Sequence, residues 1–78
     1  MKPSDEWILE HLPGTAPEMA AEWMREKDIP ITRERYLNVR ISIRNRLKVL
    51  EKYRMVEWSG VYTMITNTAA KYYVKVRA

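Results

Sequence analysis

Apolar side chains recur at intervals of three or four residues along three stretches of the chain, which is the spacing of amphipathic helices. These stretches predict helices over residues 4–12, 15–27 and 38–53. Successive residues of a helix are rotated by about 100°, so five side chains of the third helix form a stripe that faces the core. They are Val39, Ile43, Arg46, Leu47 and Leu50. The opposite side is polar or basic, with Ile41 as its apolar exception.

Local signals support the helix boundaries. Thr15 and Glu18 form a capping box at the start of the second helix. Asn38 is the expected cap of the third helix. Residues 28–37 are therefore expected to be a connection, with a short helical turn over Thr32–Leu37 as its only regular structure.

The periodicity changes after the third helix. Met55–Trp58 and Val61–Ile65 alternate as strands on either side of Ser59-Gly60, which predicts a hairpin over residues 55–66 with a two-residue turn. Three helices followed by a hairpin is the winged helix-turn-helix arrangement, in which the hairpin is the wing. The predicted fold is therefore α+β, with residues 1–78 as one domain.

Residues 67–78 fit two interpretations. A short helix capped by Asn67-Thr68 is the favoured one. The alternative is a strand, because Tyr72, Val74 and Val76 alternate with Tyr73, Lys75 and Arg77.

The positive charge is concentrated in one part of the chain. Residues 1–32 carry three basic and seven acidic side chains, a balance of −4, whereas residues 33–54 carry eight basic and two acidic ones, a balance of +6. Such clustering is typical of a protein that binds a polyanion. The absence of cysteine excludes disulfides and thiolate metal sites, and no apolar segment predicts a leader or a membrane span. A cytoplasmic protein is expected.

Several segments resemble the small winged-helix regulators typified by the repressor of the haloarchaeal phage phi-H. The most specific resemblance is in Asn45–Tyr53 followed by Val56-Glu57, where that family has an N-R-L-x-x-L-x-x-Y-G-L-V-E run. The resemblance implies a repressor-like transcriptional regulator that binds operator DNA, usually as a dimer. The chain departs from the family pattern in its longer connection before the third helix, in Arg54 where a glycine is usual, and in a hairpin tip, Ser59-Gly60, without a basic residue.

If the third helix reads the major groove of double-stranded DNA, its N-terminal half contacts the bases. Arg44 is the first candidate for base contacts, and Arg40, Asn45 and Ile41 are the others, since arginine suits guanine, asparagine adenine and isoleucine the thymine methyl group. The candidates for phosphate contacts are the remaining cations, Arg33, Arg35, Lys48 and Lys52. An ordinary solvated helix face is the alternative for all of them.

Other side chains are assigned to the fold. Arg46 is expected to cover apolar neighbours or to pair with an acidic residue of the first two helices. Trp7, Trp23 and Trp58 are expected in the core. Tyr72, Tyr73, Val74 and Val76 are the candidates for a homodimer contact.

No motif predicts catalysis, a cofactor, a metal site or a small-molecule ligand. The single histidine, His11, lies on the apolar stripe of the first helix and is interpreted as a partly satisfied core imidazole. The main alternative to DNA binding is a winged helix that binds a protein partner. RNA is a weaker alternative, because no sheet face rich in aromatic residues is predicted.

Overall fold

The computed structural model describes residues 2–63 and 69–76. These residues form three helices and one three-stranded antiparallel sheet, which confirms the α+β class. The elements in chain order are α1 (Asp5–Glu10), β1 (Gly14–Thr15), α2 (Ala16–Glu26), α3 (Arg33–Lys52), β2 (Val56–Thr63) and β3 (Ala69–Lys75). The strand order β1-β3-β2 makes β3 the central strand, so the sheet has one strand more than the predicted hairpin.

The starts of α1 and α2 follow from local capping. The Ser4 hydroxyl accepts a hydrogen bond from the Trp7 N–H at 3.1 Å, and the Thr15 hydroxyl accepts one from the Glu18 N–H at 3.3 Å. Each bond satisfies a backbone donor that has no partner within the helix. The predicted cap at Thr15 is thereby confirmed.

The prediction for the start of α3 was wrong. The helix is capped by Thr32, whose hydroxyl accepts from the Arg35 N–H at 3.3 Å, and Asn38 is an exposed residue within the helix. The physical reason is that Tyr36 extends the apolar stripe by one turn: it packs against the core, and its hydroxyl donates to the Pro17 carbonyl at 3.4 Å. The connection between α2 and α3 therefore shortens to residues 27–32.

Both long helices end in a left-handed residue that is not glycine. After α3, the Met55 N–H donates to the Leu50 carbonyl at 2.9 Å and the Arg54 N–H to the Glu51 carbonyl at 3.0 Å, with a φ of 61° at Arg54. Asp28 takes the equivalent place after α2, with a φ of 55°. This is the Schellman pattern, in which a side chain costs about 1 kcal/mol relative to glycine.

The prediction of a turn at Ser59-Gly60 was also wrong. Both residues lie within β2, where the register shifts between the pairs Trp58↔Tyr73 and Gly60↔Tyr72. The reason is that β3 is long enough to pair with both halves of β2, so the extra residue is accommodated as a bulge. Residues 64–68 join the two strands, and the part of the predicted hairpin that falls on them lies outside the described residues.

The favoured short helix near the C-terminus was wrong, and the alternative strand is observed. Ala69–Lys75 pairs with β2 along its length and with β1 at Tyr72 and Tyr73. The alternation of Tyr72 and Val74 with Tyr73 therefore outweighs the local helical signal, because only a strand directs Tyr73 to the core. The predicted cap, Asn67-Thr68, lies outside the described residues.

The core lies between the helices and one face of the sheet. Its buried side chains from the long helices are Ala16, Met19, Ala20, Trp23, Met24, Val39, Ile43, Leu47 and Leu50. Ile8 of α1, Val56 of β2 and Tyr73 of β3 complete it. Across residues 2–63 and 69–76, no helix combines the length and apolarity needed to cross a membrane.

Candidate nucleic-acid interface

A groove of about 270 Å³ lies between the start of α2, the middle of α3 and the start of β3. It brings together residues more than 50 positions apart in sequence, because β3 is held beside both helices. Its lining residues are Ala16, Pro17, Arg40, Arg44, Lys48, Ala70, Lys71 and Tyr73. Four of the eight are cationic and none is acidic.

Three of the cations come from one stripe of α3. Arg40, Arg44 and Lys48 are four residues apart, so at about 100° per residue all three point within about 40° of Arg44. Arg40 is half-buried, whereas Arg44 and Lys48 are exposed. All three are predicted from the sequence as candidate DNA contacts, and the fold places them in one groove.

The fourth cation, Lys71, comes from β3 and was missed by sequence reasoning. The favoured assignment of this segment to a helix hid it. In the alternative strand, Lys71 lies on the same face as Tyr73 and on the opposite face from Tyr72. The Lys71 ammonium group lies 5.1 Å from the centre of the Trp58 ring, within the range of a cation–π contact. Trp58 is 50% exposed, so the expectation that it belongs to the core was wrong.

In the described part of the chain, no acidic side chain forms an ion pair with the cations of the groove. None of the cations Arg40, Arg44, Lys48 and Lys71 has an ion pair among residues 2–63 and 69–76. Burial raises the pKa of the Tyr73 hydroxyl, and the Glu51 carboxylate raises it further, so this lining group stays neutral at neutral pH. The groove therefore presents an uncompensated positive charge.

The start of α2 also borders the groove. Ala16 and Pro17 are its first two residues, and the N-terminal end of a helix carries a partial positive charge. In this first turn the Glu18 carboxylate offsets that charge, and the Thr15 hydroxyl accepts from the Glu18 N–H. The positive charge of the groove therefore comes from its four side-chain cations, which suit a phosphate group better than a neutral ligand.

Arg46 lies elsewhere and has a different environment. Its guanidinium donates to both carboxylate oxygens of Asp5, at 2.8 and 2.6 Å, and this pairing holds the pKa of Asp5 below its usual value. The expectation of an ion pair with one of the first two helices is confirmed. The Arg46 side chain is exposed to solvent while it makes this pair.

The remaining candidates on α3 lie outside the groove. Ile41, Asn45 and Lys52 are exposed and point about 60–100° away from Arg44 around the helix. Arg33 shares the direction of Arg44 but lies about 16 Å nearer the helix start. Arg35 points to the opposite side of the helix, about 180° from Arg44.

The four candidates for a dimer contact divide between the two faces of β3. Tyr73 is buried to 2% exposure within the chain, which leaves almost none of its surface for a second copy. Tyr72 and Val74 are half-buried and point to the other face of the sheet, and Val76 is exposed just beyond the strand. Val74 and Val76 line a shallow surface groove with Leu12 and Pro13.

Of the other two tryptophans, Trp23 is buried as expected, and Trp7 is half-buried against the core. Trp7 stacks on His11, which is also only half-buried. Glu22 and Glu26 of α2 direct their carboxylates at this imidazole. The spacing in the sequence did not reveal this group, because the three residues come from two helices.

Comparisons of the chain with protein-family models, with curated proteins and with solved structures give no match.

Proposed function

We propose that this chain is a winged helix-turn-helix protein that binds double-stranded DNA and acts as a transcriptional regulator. The observation that carries the proposal is the convergence of Arg40, Arg44, Lys48 and Lys71 in one groove whose lining includes no acidic residue. Like charges held close together repel one another, and an external polyanion relieves that repulsion. In this interpretation α2 and α3 are the helix-turn-helix, and β2 and β3 are the wing.

The order of elements supports this assignment. Three helices precede the antiparallel pair β2 and β3, as in the arrangement described above. The connection of residues 27–32 is closer to the short turn of a helix-turn-helix than the ten-residue insertion that the sequence suggested. Because the connection is short, α2 stays close to α3 and can hold it in position against the nucleic acid.

The roles of individual residues follow from their positions on α3. Because the helix begins at Arg33, its N-terminal half now ends near Ser42. We assign Arg40 and Arg44, at the middle of the helix, to base edges. Lys48 lies farther along α3 and Lys71 lies on β3, and we assign both to phosphates. Arg35, on the opposite side of α3, has no role in this assignment.

Fluorescence anisotropy with labelled duplexes tests the proposal. If each of the four groove cations neutralises one phosphate, log affinity should fall with log salt at a slope of about −3.6. Arg44→Ala should weaken binding, whereas Arg35→Ala, which removes the same charge from the other side of α3, should not. Equal losses in both variants, or no binding at low salt, would contradict the proposal.

We also propose that the functional state is a homodimer. A single DNA-binding module buries only about 600–1,000 Å² against DNA, which is small for a tight, specific site. The outer face of β3, with Tyr72 and Val74, and the adjoining Val76 offer the contact. Sedimentation at micromolar protein concentration tests it, and a monomer that binds a half-site with full affinity would contradict it.

A protein partner is the second candidate, and one observation favours it. Ile31, Leu37 and Ile41 are exposed apolar side chains at or just before the N-terminal half of α3. Such residues are typical of the centre of a protein interface. Under the DNA proposal Ile41→Ser has a small effect compared with Arg44→Ala. If this face instead binds a protein partner, Ile41→Ser should weaken binding to that partner more than Arg44→Ala does.

A further inference from the structure

His11, Glu22 and Glu26 meet where the end of α1 contacts the second half of α2. One nitrogen of the imidazole and one oxygen from each carboxylate all lie within 4.8 Å of one another. The imidazole Nε2 is 3.0 Å from Glu26 Oε2 and 4.0 Å from Glu22 Oε1. Glu22 and Glu26 are four residues apart, so both carboxylates lie on the same side of α2.

The other ring nitrogen determines which form of the imidazole is present. His11 Nδ1 lies 2.7 Å from the Trp7 carbonyl oxygen, and a carbonyl only accepts, so Nδ1 carries a hydrogen. With Nδ1 committed to this hydrogen bond, Nε2 is the ring atom left for a ligand, and it faces the carboxylates of Glu26 and Glu22.

The three groups are also spaced for a metal ion. Glu22 Oε1 lies 4.0 Å from Nε2, which is too far for a hydrogen bond, so the imidazole alone does not hold both carboxylates. A divalent cation between the three groups would attract both carboxylates and accept the Nε2 lone pair. Ligand atoms that lie about 2.0–2.2 Å from a tetrahedral metal ion are about 3.3 Å from one another. The three groups therefore need only small side-chain movements to bind such an ion.

Trp7 holds two of the three groups in place. Its indole stacks on the imidazole with ring centres 3.8 Å apart and an angle of 18° between the planes. The indole N–H donates to Glu26 Oε1 at 3.2 Å, which leaves Oε2 directed at the imidazole. Hydrogen bonds of this kind, from a ligating histidine to a carbonyl and from a donor to a ligating carboxylate, orient the ligands of protein metal sites.

We propose that His11, Glu22 and Glu26 bind a divalent transition-metal ion of the Zn²⁺ class, with water as the remaining ligand. One imidazole nitrogen with two carboxylate oxygens suits such an ion better than Mg²⁺ or Ca²⁺, which prefer oxygen ligands alone. The bound ion fastens the end of α1 to α2. The site is independent of the proposed DNA groove, since Glu26 lies about 15 Å along α2 from Ala16.

Isothermal titration calorimetry with ZnCl₂ on the whole chain tests the proposal. Wild type should bind one Zn²⁺ per chain, and Glu22→Gln should weaken binding by at least about 10–100-fold, the usual cost of disturbing such a site. Glu22 is exposed, so this variant keeps the fold. Glu34→Gln removes an exposed carboxylate from α3 and should bind like wild type. Equal affinity in both variants would overturn the proposal.

A second variant tests the role of Trp7. Trp7→Phe keeps an aromatic ring against the imidazole but removes the hydrogen bond to Glu26, and it should weaken Zn²⁺ binding by about 10–100-fold. The His11 ring ¹⁵N resonances should shift on addition of Zn²⁺, and Nε2 should shift more than Nδ1. An unchanged His11 spectrum at saturating Zn²⁺, or binding of Mg²⁺ as tight as that of Zn²⁺, would contradict the assignment.

Discussion

Arg44 and Arg46 are two residues apart on α3 and have opposite environments. Arg46 donates two hydrogen bonds to the Asp5 carboxylate and links α3 to α1. Arg44 faces a groove with Arg40, Lys48 and Lys71 and has no carboxylate partner among residues 2–63 and 69–76. A cation that is paired within the chain contributes to the fold, whereas a group of unpaired cations opposes it through repulsion. The difference supports the proposal that the groove binds a partner outside the chain.

The largest expected effect comes from removing Arg44. Arg44→Ala should weaken binding to a specific duplex by about 1–3 kcal/mol, because a base contact is lost. The melting temperature should stay unchanged or rise slightly, since the variant has less repulsion in the groove. Anisotropy and thermal melting on the same sample measure the two effects. A clear fall in melting temperature would contradict the comparison, because Arg44 would then be a structural residue like Arg46.

A smaller effect is expected on the sheet side of the groove. Lys71→Met should flatten the slope of log affinity against log salt by about one unit, because one phosphate contact is lost on every duplex. Lys75→Met is the matched control, since Lys75 is an exposed cation on the same strand outside the groove. Salt titrations of both variants decide the matter. If Lys75→Met changes the slope as much as Lys71→Met does, total charge rather than the groove determines affinity.

Arg54 adds a third arginine to this comparison. Its backbone conformation, rather than its charge, is what affects the stability of the fold. Its left-handed conformation predicts that Arg54→Gly stabilises the fold by about 1 kcal/mol. For a domain of this size that corresponds to a rise in melting temperature of about 4–8 °C. DNA affinity should change far less than in Arg44→Ala. No gain in stability would contradict the interpretation of the helix end.

The smallest expected effect concerns the ion pair of Asp5 and Arg46. Because Arg46 lowers the pKa of Asp5, the folded state binds the Asp5 proton less readily than the unfolded chain does. The pair therefore contributes stability above the unfolded pKa, and this contribution is lost as the pH falls through the lowered pKa of the folded state. Asp5→Asn should show a weaker loss of stability on acidification in urea unfolding. The effect is small because both side chains are exposed to water.

The sequence predicted those features that depend on local chemistry. The cap at Thr15 and the apolar stripe of α3 are set by neighbouring residues, and both are observed. The start of α3 was misplaced because Thr32 and Asn38 are both good caps. What decides between them is the packing of Tyr36 against α2, a contact 19 residues away in sequence.

The groove could be predicted less completely, because it depends on contacts between residues that are still farther apart in the sequence. The four-residue interval of Arg40, Arg44 and Lys48 was visible in the sequence. The prediction nevertheless combined them with Ile41, Asn45 and Lys52, which lie outside the groove. Lys71 could not be added, because its place depends on whether its segment pairs with β2 or forms a helix. That choice is decided by the pairing of the segment with both β1 and β2 and by the burial of Tyr73, which the local alternation alone could not settle.

The bulge in β2 has a consequence for solubility. In the part of the chain that the structure describes, β2 pairs only with β3, so its other edge offers backbone donors and acceptors beside the exposed side chains of Trp58 and Val61. A flat edge of this kind invites strands from other molecules, which leads to aggregation. The shift of register between Trp58 and Gly60 bends and twists the edge, so an incoming strand cannot pair along its whole length. The extra residue therefore helps to keep molecules apart at the high local concentrations met during synthesis.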